Sequence, residues 1–213
     1  MRNDILYDVK LATWYSACAC LAAVSAEAAR IDATLTDARG APLVDAVVWA
    51  MPKLPLSARP KREAAVEQVA KQFAPLVTVV QTGTQVRFPN RDEIRHHVYS
   101  FSTPKTFEIK LYAGTPAAPV LFDKPGEVVL GCNIHDNMIA YLYVVDTPFF
   151  AKSGKDGRAR IEGLPTGDYE LHAWHYAQAA AVDSKAASLR GDEALGAVFA
   201  ISTKALPPPP IAK

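Results

Sequence analysis

Cysteine, methionine and histidine are all scarce in this chain of 213 residues, which contains three cysteines, three methionines and five histidines. So few cysteines exclude a small scaffold built on disulfides, and no tract rich in histidine or methionine is present to hold and transfer metal ions. An excess of charge of one sign is also missing, because 23 basic and 22 acidic residues leave a net charge of +1. This balance gives no basic field for nucleic acid and no acidic field for a polycationic partner.

A long hydrophobic run is missing as well. The apolar stretch LATWYSACACLAAVSA, residues 11–26, has about 16 residues, fewer than the ~20 of a membrane-spanning helix. It follows Arg2 and Lys10 and precedes small residues suited to cleavage, which is typical of a signal peptide. We therefore expect residues 1–28 to be a signal peptide and the protein to be exported, to the periplasm or otherwise out of the cytoplasm. A membrane anchor is the alternative.

Cleavage there would leave Cys132 as the one cysteine and Met51 and Met138 as the two methionines. A lone cysteine cannot form an internal disulfide, and in an oxidising compartment it is a liability unless it is buried or ligated. Cys132 and Met138 share the stretch GCNIHDNM, residues 131–138, with His135. Each of the three has an ordinary explanation, as core filler or a turn cap. Their clustering within seven positions predicts a common role.

Thiolate, imidazole and thioether together are a ligand set that favours copper. Structural zinc would need further cysteine or histidine ligands, and covalently bound haem would need a second cysteine. A nucleophilic Cys–His pair is conceivable, but it gives no role to Met138. Two histidines and a cysteine with a long axial methionine form the copper site of electron-transfer proteins. The sequence therefore predicts that a second histidine comes from elsewhere in the chain.

The stretch NRDEIRHHVYSF, residues 90–101, is the expected source of that histidine. His96 and His97 are adjacent in a predicted strand, so they face opposite sides and only one can reach a metal. His172 and His175 lie on another predicted strand, and we interpret them as ordinary strand histidines.

The remainder of the chain is typical of short strands and turns. Alternating apolar residues in ARIDATLTD (29–37) and MIAYLYVVD (138–146) predict half-buried strands, and 16 dispersed prolines disfavour long helices. We predict an all-β protein made of one or two sandwiches. REAAVEQVAKQF (62–73) also fits a short helix, and a short helix is predicted in DSKAASLRGDEALGA (183–197). PKLPLSARPKRE (52–63) is predicted to be a linker or exposed loop.

The stretch FDKPGEVVLGCNIHDNM, residues 122–138, resembles the closing hairpin of the cupredoxins, the small blue-copper proteins of the amicyanin and plastocyanin type. QFAPLVTVVQTGTQVRFPNRDEIRHHVYSF (72–101) is similar to the same family's upstream strands, which end in a ligand histidine followed by valine. The resemblance implies a Greek-key β-sandwich of cupredoxin type over residues 66–147, with VEQVA as its opening strand. It also implies the ligands of a single type 1 copper: His96, Cys132, His135 and Met138.

The flanks resemble a different family. IDATLTDARGAPLVDAVVWA (31–50) and KDGRARIEGLPTGDYELHAWH (155–175) are similar to the transthyretin-like sandwich of carboxypeptidase regulatory-like domains. The resemblance implies that residues 29–65, which include the linker, and 148–205 form a second small sandwich into which the copper domain is inserted, with a proline-rich tail at 206–213. The whole layout resembles bacterial cupredoxin-like proteins named for methylamine utilisation.

From these observations we expect an exported copper protein that is not an enzyme. It would carry single electrons between redox proteins, such as a dehydrogenase donor and a cytochrome acceptor. The alternative is a module that binds carbohydrate or a cell-envelope partner, with a structural or vestigial copper. Exposed Trp49 or Trp174 would favour that alternative, whereas we expect both to be packed. Copper storage or delivery is disfavoured because a fully ligated, buried site would release its metal slowly.

Overall fold

The computed structural model describes residues 29–54, 62–116 and 118–204. The predicted signal peptide (1–28), the middle of the predicted linker (55–61) and the proline-rich tail (206–213) lie outside the described residues. Within the described ranges the chain forms strands only, and no helix there is long and apolar enough to cross a membrane. The strands are β1 (Ala29–Asp37), β2 (Val47–Pro52), β3 (Glu63–Ala65), β4 (Glu67–Val69), β5 (Gln72–Ala74), β6 (Val77–Gln81), β7 (Thr84–Arg87), β8 (His96–Ser102), β9 (Lys105–Tyr112), β10 (Val120–Phe122), β11 (Gly126–Gly131), β12 (Ile139–Val145), β13 (Phe150–Lys152), β14 (Arg158–Leu164), β15 (Gly167–Trp174), β16 (Lys185–Leu189) and β17 (Ala194–Ile201).

The first and last parts of the chain form one sandwich together. One of its sheets has the strand order β14-β1-β17 and the other the order β13-β2-β15-β16. Strict alternation of buried and less buried residues along β1 turns Ile31 and Leu35 inward, where they pack with Ile161, Leu171 and Phe199. We call this unit, β1, β2 and β13–β17, the flanking sandwich.

The middle of the chain forms a second unit, β3–β12, which we call the central sandwich. Its sheets have the orders β6-β12-β11-β8-β9 and β10-β7-β3, and β4 pairs with β5 in a separate hairpin. Its core contains Phe88, Phe122 and Leu142, and Cys132 and Met138 belong to the same buried cluster. The described part of the chain is therefore all-β, as the sequence predicted, and each sandwich has its own hydrophobic core.

The short helix predicted at residues 183–197 is wrong, because that segment contains β16 and the start of β17. Burial alternates with a period of two along both strands, so that Ala187, Leu189 and Phe199 face the core. Segment 62–73 is likewise extended, with β3, β4 and the start of β5. This confirms the opening strand that the family resemblance predicted.

An aromatic cluster joins the two sandwiches. Trp174 of β15 is buried, and its ring centroid lies 4.6 Å from that of Tyr143 on β12. Its indole Nε1–H donates to Glu127 Oε2 at 3.1 Å. Trp49 is half-buried, stacked on His172 with a centroid distance of 5.1 Å. The expectation of packed tryptophans is therefore confirmed for Trp174 and met in part for Trp49.

Candidate metal centre

Three of the four predicted ligands meet at one edge of the central sandwich. His96 begins β8, Cys132 directly follows β11, and His135 lies in the loop before β12. Candidate ligand atoms of these residues all lie within 4.8 Å of one another. The distance from Cys132 Sγ to His135 Nδ1 is 3.9 Å, and the ring centroids of His96 and His135 are 5.0 Å apart. The cluster forms because β8, β11 and β12 are neighbours in one sheet.

The loop between β11 and β12 is tight, and it begins with Cys132, carries His135 and ends with Met138. The Met138 N–H donates to the His135 carbonyl at 2.9 Å, which closes a turn just before β12 begins. Met138 is 1% exposed and Cys132 is 4% exposed, and both belong to the core cluster of the central sandwich. His135 is half-buried. The loop therefore has two buried sulfur residues and one imidazole that reaches the surface.

The two adjacent histidines at the start of β8 are both buried but have different neighbours. His96 joins the cluster, whereas His97 Nε2 lies 2.9 Å from Glu108 Oε1. His172 stacks on Trp49 and His175 contacts the Val44 carbonyl, both in the flanking sandwich. Of the four histidines considered for the second ligand position, the structure brings only His96 to the cysteine.

The two nitrogens of His96 have different surroundings. Nε2 lies 2.7 Å from Asp92 Oδ2, whereas Nδ1 is buried and has no hydrogen-bond partner among the described residues. A carboxylate acceptor at Nε2 keeps the proton on that nitrogen and leaves the lone pair on Nδ1 available. A buried thiol, a second imidazole and this unpartnered Nδ1 fit a transition metal that prefers sulfur and nitrogen ligands.

Asp92 and Asn90 shape the loop before His96, and neither was predicted from the sequence to be part of the site. Asn90 Oδ1 accepts from the Asp92 N–H at 2.9 Å, and its Nδ2 donates to the Ile94 carbonyl at 2.8 Å. The only sequence feature that indicates the contact of Asp92 with His96 is a carboxylate four residues before a candidate ligand. In an irregular loop that spacing does not fix a direction, so the sequence alone could not identify the contact.

Electrostatics keep the cluster in forms suited to a metal. Burial, followed by the neighbouring His96 and Lys71, lowers the pKa of His135 below its usual value, and Asp92 opposes this shift. Burial raises the pKa of Asp92, but hydrogen bonds from Lys71 N–H, His96 and Ala70 N–H outweigh it, so the net pKa is lowered. At neutral pH these directions give a neutral His135 imidazole and a charged Asp92, and neutral imidazole is the form that binds metal.

Comparison with known proteins gives structural matches only. No family model matches the chain, and no curated protein matches it. The chain is similar to a copper-containing nitrite reductase from Thermus scotoductus (26% identity, TM-score 0.38, 46% of this chain) and spans 26% of that protein's length. It is also similar to a purple cupredoxin from Nitrosopumilus maritimus (19% identity, TM-score 0.34, 38% of this chain and 99% of that one). A third match is pseudoazurin from Methylobacterium extorquens (24% identity, TM-score 0.34, 40% of this chain and 76% of that one). These similarities are partial, and the case for a metal rests on the side chains of the cluster.

Proposed function

We propose that this protein binds one copper ion in a type 1 site and carries single electrons between redox partners. The observation that carries the proposal is the cluster of His96, Cys132 and His135, whose candidate ligand atoms lie within 4.8 Å of one another. Met138, which is buried in the same core, is the proposed weak axial ligand. The copper-binding unit would be residues 66–147, together with the short strand β3 that pairs with β7.

Bound copper would supply a one-electron Cu(II)/Cu(I) couple. In the chain itself, Cys132 would bind as the thiolate and His96 through Nδ1, the nitrogen that has no other partner. Both residues lie at strand ends in a packed sheet, so the protein can keep the ligand set in place in both oxidation states. No bond in a substrate is formed or broken. One electron enters from a donor protein and the same electron leaves to an acceptor, so the protein would not be an enzyme.

His135 is the proposed point of electron entry and exit. Its ring is half-buried, whereas His96 and Cys132 are buried, so it offers a partner protein the shortest approach to the ligand set. Export to the periplasm, with a dehydrogenase as donor and a cytochrome as acceptor, completes the proposal. The flanking sandwich would hold the copper unit through the cluster around Trp174.

The test is the visible spectrum of the purified protein after addition of Cu(II). We expect an intense thiolate-to-copper band at about 600 nm, which is the position that the resemblance to the cupredoxins implies for a site of two histidines and one cysteine with an axial methionine. Cys132→Ala should abolish the band. Met138→Ala should shift it, whereas Met51→Ala, on β2 of the flanking sandwich, serves as the matched control and should leave it unchanged. A colourless protein, or a weak spectrum that does not depend on Cys132, would overturn the proposal.

A further inference from the structure

We infer that Asp92 is a positioning residue for the proposed copper site. Its carboxylate fixes the orientation and tautomer of His96, makes Nδ1 more electron-rich, and so lowers the reduction potential of copper bound there. This inference rests on the proposed function, and it gives a role to Asp92, which lies in the stretch before His96 but was not among the predicted ligands.

The contact has the geometry of a strong, oriented hydrogen bond. The Nε2–Oδ2 distance is 2.7 Å, the His96 side chain is 0% exposed and the Asp92 side chain is 14% exposed. Hydrogen bonds to an ionised acceptor are roughly twice as strong as those between neutral groups, and partial exclusion of water strengthens them further. The bond therefore acts on the imidazole from the nitrogen opposite the one assigned to the metal.

Asp92 is held by a second set of bonds, to the turn between β4 and β5. Its carboxylate accepts from the Ala70 N–H at 2.7 Å and from the Lys71 N–H at 2.9 Å. Both turn residues have positive φ, 53° and 57°, although neither is glycine. A left-handed conformation is unfavourable for residues that carry a Cβ, and two-residue hairpin turns of this kind usually contain Asn-Gly.

The strained turn explains why the carboxylate is a fixed part of the site. Three hydrogen bonds, two from the turn and one from His96, converge on one side chain, and Asn90 holds its backbone N–H from the other side. If this carboxylate rotated into solvent, the Ala70 and Lys71 N–H groups and His96 Nε2 would all lose their acceptor. The hairpin β4–β5, the loop after Asn90 and the ligand histidine thus form one preorganised unit.

The expected consequence differs between the two oxidation states. A more electron-rich Nδ1 stabilises Cu(II) more than Cu(I), because the ion of higher charge gains more from a stronger donor. Loss of an outer partner of a ligand histidine typically weakens metal binding 10–100-fold. For a one-electron couple, each tenfold difference between the losses for Cu(II) and Cu(I) raises the potential by about 59 mV.

The test compares copper-loaded wild type with Asp92→Asn and with Glu93→Gln. Glu93 is exposed on the same loop, so the control removes the same charge without touching His96. We expect Asp92→Asn to raise the reduction potential, measured by titration of the visible band, and to speed removal of Cu(II) by a chelator by 10-fold or more. Glu93→Gln should change both quantities much less.

Three outcomes would contradict the inference, and they can be told apart. A wild-type protein without a thiolate–copper band overturns the proposed function and the inference with it. A normal band with equal potentials in Asp92→Asn and Glu93→Gln overturns the inference alone. If Asp92→Asn unfolds more easily in urea without a shift in potential, Asp92 only caps the turn and the inference fails. Should Asp92→Asn not fold, the same change is made together with Ala70→Gly and Lys71→Gly, which relax the turn.

Discussion

His96 and His175 are buried imidazoles in the two different sandwiches, and their surroundings differ in one decisive way. His96 is 0% exposed and His175 is 3% exposed, so burial does not distinguish them. His175 Nε2 lies 3.2 Å from the Val44 carbonyl, to which it donates, and its Nδ1 accepts from the Ala177 N–H at 3.2 Å. His96 uses only Nε2, and its Nδ1 has no partner among the described residues.

The comparison shows that an unpartnered nitrogen is informative when it lies beside other candidate ligands, because within the described part of the chain buried His97 also has an unpartnered Nδ1 but is not part of the cluster. A buried polar atom without a partner costs about 1–3 kcal/mol, and a protein retains such a cost where function requires it. At His175 both nitrogens are satisfied, and the side chain ties the turn after β15 to the loop before β2. At His96 the unpartnered nitrogen lies in a cluster with a buried thiol and a second imidazole.

The largest expected effect separates these two histidines. His96→Ala should abolish the thiolate–copper band, because the cluster then lacks one of its two imidazoles. His175→Ala should leave the band intact and lower the free energy of unfolding by about 1–3 kcal/mol, because it leaves the Val44 carbonyl and the Ala177 N–H unpaired. The visible spectrum and urea unfolding of each variant check the two halves of the prediction. Loss of the band in His175→Ala, with the protein still folded, would contradict it.

The second effect tests how firmly the sandwiches are joined. Trp174→Ala removes the central ring of the interface and the donor to Glu127, and should cost about 3–5 kcal/mol. Trp174 packs on Tyr141 and Tyr143, whereas the alternate residues of β12 face the core that contains Cys132, so the copper band should persist. When urea unfolding of this variant is monitored by the visible copper band and by fluorescence, we expect two separate transitions, one for each sandwich.

Trp49→Ala is the matched control for the interface, because Trp49 packs on Tyr143 but is only half-buried. It should cost less than Trp174→Ala and should keep a single transition. If both probes report one transition in Trp174→Ala, with the same urea midpoint as wild type, the aromatic cluster does not join the two units.

The smallest expected effect is the pH dependence of the flanking sandwich. Burial lowers the pKa of His175 below its usual value, and the hydrogen bond to Val44 opposes the shift only in part. Near pH 6.5 the unfolded chain therefore binds more protons at this residue than the folded protein does. The stability that depends on a neutral His175 is therefore present above the unfolded pKa of about 6.5 and is lost as the pH falls towards the lower folded pKa.

At pH 6.5 the protonation of His175 in the unfolded chain lowers the free energy of unfolding by at most about 0.4 kcal/mol, and this loss grows at lower pH. His175→Gln, which does not titrate, should therefore show a shallower loss of stability between about pH 7.5 and 5.5. Urea unfolding of the copper-free protein across that range provides the measurement. Equal slopes in wild type and His175→Gln would contradict the prediction.

Periodicity predicted the strands well where one face of a strand is buried. β1 and β12 alternate as their sequences indicate, because each lies between a core and a less buried face. The error at residues 183–197 has the opposite cause. Alanine-rich segments with few large apolar residues have a weak period, and the tertiary pairing of β16 with β15 and of β17 with β1 decides their conformation.

The sequence by itself determined the all-β class and the spacing of Cys132, His135 and Met138, because local alternation and a short loop between two strands need no knowledge of distant residues. The residue pattern left His96 and His97 open, and the cupredoxin resemblance implied His96. Only the tertiary structure brought His96 to the cysteine, placed Asp92 against its far nitrogen, and packed Trp174 between the two sandwiches. Each of these depends on the direction of a side chain or on contacts between residues distant in the chain. Such contacts form when separate sheets pack, and no local pattern encodes them.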